Sequence, residues 1–501
     1  MSENSRTKNA KLNVIYGYLA QIGILIISFV GRKIFLIFLS ADYLGINGLY
    51  SNILTILSSA ELGLDTAVVY SLYKPVADDN KKLIASMLRY FKKVYYIVAI
   101  CVFLAGLCLL PFLPFFIKSN LSSIDLTIYY ILFLINTVSS YFVAYKVALL
   151  SAYQEQRIHK LVTLSANLIL QLMHIIVLFI WKNYYIYIVA TVVSTVISNT
   201  ILSCICNKKH NDIFKQKEKI YFDTQGIKKH VLSVFLYKIG TVLINSTDNI
   251  LISVLVSTIA VGYYSNYYTV VSAITGFIAI INTSLIAGIG NKAAKGAKQE
   301  QSALFDMMLL PYHGIAALGF VGFSLLFNNL IAIWLGSEYL FEDATVFIIS
   351  FNFYITNAIS PVWMFREANG LFDKVRILVL IRSGFNILLS IVFGLLWGVF
   401  GIFLATVISL IVTNFWYEPK IISKEIFGRS QFIYWRKQFI YFLETAVAFV
   451  LSCFAIKYLG DSFGMLVLKA IIIVVITGGI FLICNLRSEE YKRLKSYMFK
   501  R

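Results

Sequence analysis

Five consecutive polar residues, Asn245-Ser246-Thr247-Asp248-Asn249, interrupt a long apolar run and are the sharpest chemical signal in the chain. On a helix Asn245, Asp248 and Asn249 share a face at i, i+3 and i+4. A carboxylate flanked by amides on one face can hold a cation or answer a cationic side chain. A second signal lies in the first apolar run, where Gln21, Ser28 and Arg32 follow at i, i+7 and i+11 on one stripe. Arg32 there can offer its planar fork to a diphosphate. Lys33 is its neighbour and cannot share its face, so one of the two reaches for the outer headgroups. A third signal is Ser58, Glu61 and Asp65, again on one stripe. Either carboxylate, or Asp248, is a carrier for coupled H+ or Na+; the plainer reading pairs them with Arg32, Lys238 or Arg382. Lys238 and Arg382 each sit about seven residues inside an apolar run, deep enough to line an interior and shallow enough to snorkel.

These charges need an account because of where they lie. The chain has 501 residues, 59% hydrophobic and only 14% charged. Its mean hydropathy is +0.78. A helix needs about 20 apolar residues to cross a hydrocarbon core about 30 Å thick, and many segments meet that length. A charge at the centre of such a span costs about 2.5–3.5 kcal/mol on insertion scales. Glu444 and Lys469, nearer their span ends, read as snorkelling groups. Gln171 and His174 share a face of the fifth span and read as an interhelical hydrogen bond.

The apolar runs place fourteen spans at 13–39, 48–72, 90–117, 125–150, 161–181, 185–206, 231–256, 262–290, 304–335, 343–365, 375–397, 399–417, 439–459 and 464–486. With the N-terminus in the cytoplasm, 36 of the 44 Lys and Arg fall at cytoplasmic junctions, while Lys118, Lys182 and Lys457 fall outside. That is the positive-inside pattern, with both termini in the cytoplasm. It also accounts for the net charge of +19 without nucleic acid, since no basic domain stands outside the membrane. The short, basic segment Met1 to Leu12 precedes a run too long for a signal peptide, so that run reads as a retained first helix.

The longest connection, 207–229, is basic and carries Ile213, Phe214, Ile220, Tyr221 and Phe222. It reads equally as a segment lying on anionic lipid or as a solvated linker. It divides the chain into a six-helix lobe at 1–206 and another at 230–417. A linker at 418–438, two further helices at 439–486 and a basic tail at 487–501 complete the order. The halves echo each other: Gly48-Leu49-Tyr50-Ser51-Asn52 opens the second span and Gly262-Tyr263-Tyr264-Ser265-Asn266 the eighth. Six spans per half is even, so the halves share an orientation, the layout of an alternating-access carrier. Aligning the echoes sets Asp248 at the depth of Arg32 on the other lobe, and a cross-lobe ion pair is expected.

Several chemistries lack their signatures. There is no G-x-x-x-x-G-K-[ST] loop for ATP and no His/Cys/carboxylate grouping with metal spacing. Cys101, Cys108, Cys204, Cys206, Cys453 and Cys484 read as small buried hydrophobes. The outside loops are short, without the paired acids of a membrane polymerase or glycosyltransferase. A carrier without a cofactor remains.

The stretch from Gly31-Arg32-Lys33 to Tyr70-Ser71-Leu72-Tyr73-Lys74-Pro75 contains Tyr43-Leu44-Gly45 and Ala60-Glu61-Leu62-Gly63. It resembles the first two helices of bacterial polysaccharide-unit flippases. So do Thr247-Asp248-Asn249-Ile250-Leu251-Ile252-Ser253 and Val261-Gly262-Tyr263-Tyr264-Ser265-Asn266-Tyr267. These flippases belong to the multidrug/oligosaccharidyl-lipid/polysaccharide exporter superfamily. The resemblance implies a multi-pass protein of the bacterial cytoplasmic membrane that moves undecaprenyl-diphosphate-linked oligosaccharides to the outer leaflet, for capsule, exopolysaccharide or O-antigen. Membrane lipids and a polysaccharide polymerase of the same membrane are the implied partners. The last two helices would shape the route of the lipid tail. A cation-coupled multidrug antiporter and a peptidoglycan-precursor flippase share the fold; the basic residues in the spans lean against the first.

Overall fold

The computed structural model describes residues 22–499 except 24, 60–63, 120, 219, 223 and 295–297. Gln21, Glu61 and the segment Met1 to Leu12 lie outside the described residues. The described chain is all helical. Eleven of its stretches, among the described residues, are long and apolar enough to cross a membrane. In such a medium every backbone polar group has to be satisfied within the segment, and helices do this. The protein is a multi-pass membrane protein.

The contacts divide the chain into two compact units, Met1–Ser265 and Asn266–Arg501. The first contains α1 (25–38), α2 (Ala41–Ser58), α3 (Leu64–Ala77), α4 (Lys81–Cys108) and the single turn α5 (Leu113–Phe116). It continues with α6 (Ser123–Ala152), α7 (Gln156–Ile180), α8 (Tyr184–Lys209), α9 (Asn211–Phe214), α10 (Gln225–Leu251) and the start of α11 (Thr258–Ala294). The sequence itself sets several of these ends. Asn80 caps α4 by accepting from the Leu83 amide, and Asn183 caps α8 by accepting from Tyr185 and Ile186. The expected span 48–72 falls on both α2 and α3, on either side of residues 60–63.

Aliphatic side chains and tyrosines fill this unit. Tyr50, Tyr95, Tyr130, Tyr141 and Tyr184 are fully buried. The Tyr50 hydroxyl donates to the Leu126 carbonyl at 2.8 Å, so one ring supplies both area and a hydrogen bond. α2 and the start of α11 cross backbone to backbone just ahead of the first echoed motif and at the start of the second. A Cβ on Gly45 would stand 1.9 Å from the Thr258 carbonyl oxygen, and one on Gly262 would stand 2.3 Å from that of Ala41. Glycine is required there by space.

The second unit contains the rest of α11, α12 (Lys298–Trp334), α13 (Asp343–Ala368), α14 (Phe372–Val412), α15 (Asn414–Ile422), α16 (Phe432–Ile456), α17 (Phe463–Asn485) and α18 (Glu489–Phe499). Within α14 the helix breaks at Trp397 and Gly398, where Gly398 takes φ 58 and ψ −134. Only glycine visits that region at low cost. The break falls between the expected spans 375–397 and 399–417. α12 and α17 border a groove of about 480 Å³ lined by aliphatic side chains, among them Leu326, Leu330, Leu466 and Val474.

Candidate functional site

In the first unit α1 presents Arg32 half-buried, and its Nη1 donates to the Ser265 hydroxyl at 3.0 Å. That hydroxyl in turn donates to the Gly262 carbonyl at 2.7 Å, so the echoed motif at the start of α11 fixes the arginine's partner. Lys33, one residue on, is exposed. α10 packs on α2 and α3. It carries Lys238, Asp248 and Asn249 half-buried, Ser246 and Thr247 buried, and Asn245 exposed. Asp248 therefore lies in the same compact unit as Arg32. Asp65 on α3 is exposed and accepts a hydrogen bond from the buried Tyr95 at 2.5 Å. Arg382 is buried on α14 of the second unit.

Gln171 packs at Gly31, and His174 bonds Thr191 of α8 at 3.0 Å while stacking on Tyr187 at 3.6 Å. The interhelical hydrogen bond expected of His174 is present. Glu444 differs from expectation. It does not snorkel: it is buried between helices, bound to His313 of α12 at 3.2 Å and to Asn485 of α17 at 3.0 Å. Lys469 is also buried, paired with Asp461 at 2.8 Å. Neighbouring helices offered Glu444 partners that one helix read alone could not reveal, whereas Lys469 reaches the exposed Asp461 at the start of its own span, as a snorkelling group does. The cysteines differ too: Cys206 is buried and the other five lie on exposed faces. For a membrane helix an exposed face meets lipid, so the setting stays apolar. Among the described residues no group of three His, Cys, Asp or Glu could hold a metal ion.

Three buried charged residues, at two sites, were not singled out from the sequence. Arg366 and Glu418 form a buried pair at 2.8 Å between α13 and α15, with Asn414 also donating to Glu418. Lys146, counted with the basic junctions, is buried, donates to Ser203 and lies over the Phe214 ring at 5.6 Å. Counting basic residues by loop assigns such groups to water whatever their neighbours. The faint signal was Asn414 and Glu418 at i, i+4.

The basic connection between α8 and α10 is also tied down. Arg89 of α4 donates to the carbonyls of Gln216 and Glu218, and Ser86 takes the Ile220 amide at 2.9 Å. Lys81 pairs with Asp212 and Lys82 with Glu218, while Phe222 meets Tyr90 edge-on at 5.6 Å. Ile213 is buried and Tyr221 is exposed. Neither a free linker nor a segment lying wholly on lipid describes it; it is a strap along the end of α4. Glu155 closes the same end with Lys209 at 2.9 Å and His210 at 3.1 Å. Partial burial pushes the Glu155 carboxyl up, but the hydrogen bonds from Lys209 and His210 outweigh it and hold it below its ordinary range.

Residues 11–286, more than half of the chain, match the family model described as polysaccharide biosynthesis protein. A search of curated proteins returned no match. Among solved structures, the lipid II flippase MurJ in an inward closed conformation is 15% identical with a TM-score of 0.69, covering 94% of this chain and 100% of its own. An inward-facing multidrug resistance MATE family transporter of the MOP superfamily is 13% identical with a TM-score of 0.61, covering 80% of this chain and 94% of its own. A MATE transporter of Vibrio cholerae is 12% identical with a TM-score of 0.55, covering 86% of this chain and 100% of its own. At these identities the likeness is one of fold.

Proposed function

We propose that this chain, which belongs to the polysaccharide biosynthesis protein family, is a flippase for undecaprenyl-diphosphate-linked oligosaccharides. The observation that carries the reading is Arg32, half-buried on α1 with its Nη1 on the Ser265 hydroxyl. A guanidinium held at this position can present its planar fork to an anion, and a diphosphate fits it. Lys33, Lys238, Arg382, Asn245, Asp248 and Asn249 complete the proposed cargo route. Asp65, Glu61 or Asp248 would carry the coupled H+ or Na+. The proposed architecture has fourteen spans with both termini in the cytoplasm. The sugar head crosses by alternating access, and the polyprenyl tail stays in lipid, where the aliphatic groove between α12 and α17 offers it a wall. A polymerase in the same membrane would take the unit on the far side.

Deleting the gene should accumulate the undecaprenyl-linked repeat unit on the cytoplasmic face. Arg32→Gln should reproduce that defect with the protein still inserted. Increased drug sensitivity without a glycan defect would instead favour the antiporter reading. The exchange of Arg32→Asp with Asp248→Arg should restore part of the transport lost by either change alone; no recovery would remove the proposed ion pair.

A further inference from the structure

The first unit contains a cavity of about 530 Å³ between α3, α6, α7 and α8. Its walls carry Asp65, Tyr70, Tyr73, Gln156, His159 and Asn199. The size is in the range of small-molecule sites, about 300–1,000 Å³. Ser151 and Gln156 stand at its loop end, and Ser140 lies eleven residues further along α6, so the cavity penetrates about 16 Å at 1.5 Å per residue. Beside aliphatic groups such as Val143, Val147 and Leu202, the lining carries a carboxylate, amides, hydroxyls and an imidazole, which at that depth are costly against hydrocarbon and suit water or a polar guest with apolar faces.

The lining also selects the kind of guest. Among the described residues it includes no Lys or Arg, so a diphosphate gains nothing there. Among the described residues it holds a single carboxylate amid neutral hydrogen-bonding groups, a poor cage for a metal cation. Tyr70 and Tyr73 lie at its edge with rings 6.5 Å apart and are 66% and 50% exposed, presenting flat apolar faces beside polar edges. Asp65 accepts from Tyr95, Asn199 donates to the Ser139 carbonyl at 3.2 Å, and Gln156 donates to Ser151 at 3.3 Å. Each is held in place while its remaining lone pairs or protons can face the cavity. Flat apolar rings alternating with fixed donors and acceptors suit the C–H faces and hydroxyls of a sugar.

We infer that this cavity between α3, α6, α7 and α8 is a subsite for uncharged sugar residues of the cargo, with Tyr73 and Asn199 as specificity-determining contacts. The inference rests on the flippase reading, since only a glycan cargo gives the subsite a role. Sites that hydrogen-bond a hydroxyl reject analogues lacking it far more strongly than apolar pockets reject size changes, so the subsite discriminates between repeat units.

The test uses the full chain in nanodiscs and two probes. One is the lipid-free oligosaccharide released by mild acid from the host's own lipid-linked pool; the other is undecaprenyl diphosphate without sugar. Wild type should bind both. Tyr73→Ala and Asn199→Ala should each weaken the oligosaccharide about tenfold and leave undecaprenyl diphosphate unchanged, while Tyr73→Phe, which keeps the ring, should retain most of the affinity. Equal oligosaccharide binding by all variants overturns the subsite. Binding of undecaprenyl diphosphate alone by wild type also overturns it and leaves the flippase reading standing. Binding of neither probe by folded protein removes both.

Discussion

The two compact units solve the same packing problem with different chemistry. In the first, rings and glycines hold the interior together: tyrosines fill it, Gly45 and Gly262 allow one close crossing, and four ion pairs cluster at the loop end. In the second, charge lies within the helix packing. α12 is joined to α16 and α17 through Asn329–Asp461–Lys469 at one end and His313–Glu444–Asn485 midway. At the other end Asp306 takes a two-pronged contact from Arg429 and a third from Lys437, which also holds Glu490 of α18. Hydrophobicity gives helices no reason to associate in lipid, because lipid is as apolar as leucine. Shape can join helices that cross closely. A helix pair added at the edge needs polar contacts at several depths to hold its place and register.

The largest effect should come from breaking one partner of a buried pair in the second unit. Glu418→Ala leaves Arg366 buried beside a lost carboxylate, and about 3–5 kcal/mol should disappear in thermal or denaturant unfolding of purified protein. Replacing both residues, Arg366→Met with Glu418→Leu, should recover most of it; failure to recover would mean that the pair does more than satisfy itself. In the first unit the counterpart is steric. Gly45→Ala drives a methyl into the Thr258 carbonyl, and a loss of about 1–3 kcal/mol or more is expected, read as a fall in folded yield and Tm. An unchanged Tm would remove close backbone approach from that unit's account.

Smaller effects belong to the loop end. Arg89→Ala should leave Tm nearly unchanged while exposing residues 211–222 to limited proteolysis, because the strap loses its two carbonyl contacts. Equal protease resistance would show that Ser86, Phe222 and Ile213 suffice. The smallest effect is acidic. The folded state holds the Glu155 carboxyl below its ordinary range, so its contribution is present above that range and is lost as pH falls through the lowered value. The Glu155 share of the accessibility of a cysteine introduced at Tyr153 should therefore rise only as the pH falls below about 4.3.

Much of the site was legible in the chain, and the limits were physical. The helical stripes of Arg32 and of residues 245–249 follow from spacing alone; the structure half-buries Arg32 against Ser265 and leaves Lys33 exposed. The break at Gly398 was legible as a gap between two apolar runs. Glu444 was misread because distance from a span end measures access to water along one helix, while its partners His313 and Asn485 come from two others. The α3–α6–α7–α8 cavity could not be read at all: its lining is spread from Asp65 to Leu202, and no local pattern joins those residues.

What the sequence determined alone was the solvent and the secondary structure. Apolar run length fixes how far a helix reaches through hydrocarbon, and the cost of an open backbone leaves no other fold class. Tertiary structure decided which charges are buried, which glycines are indispensable and where water can enter. Those outcomes depend on the few ångströms between one helix and the next, and pairwise proximity is not written in the periodicity of either.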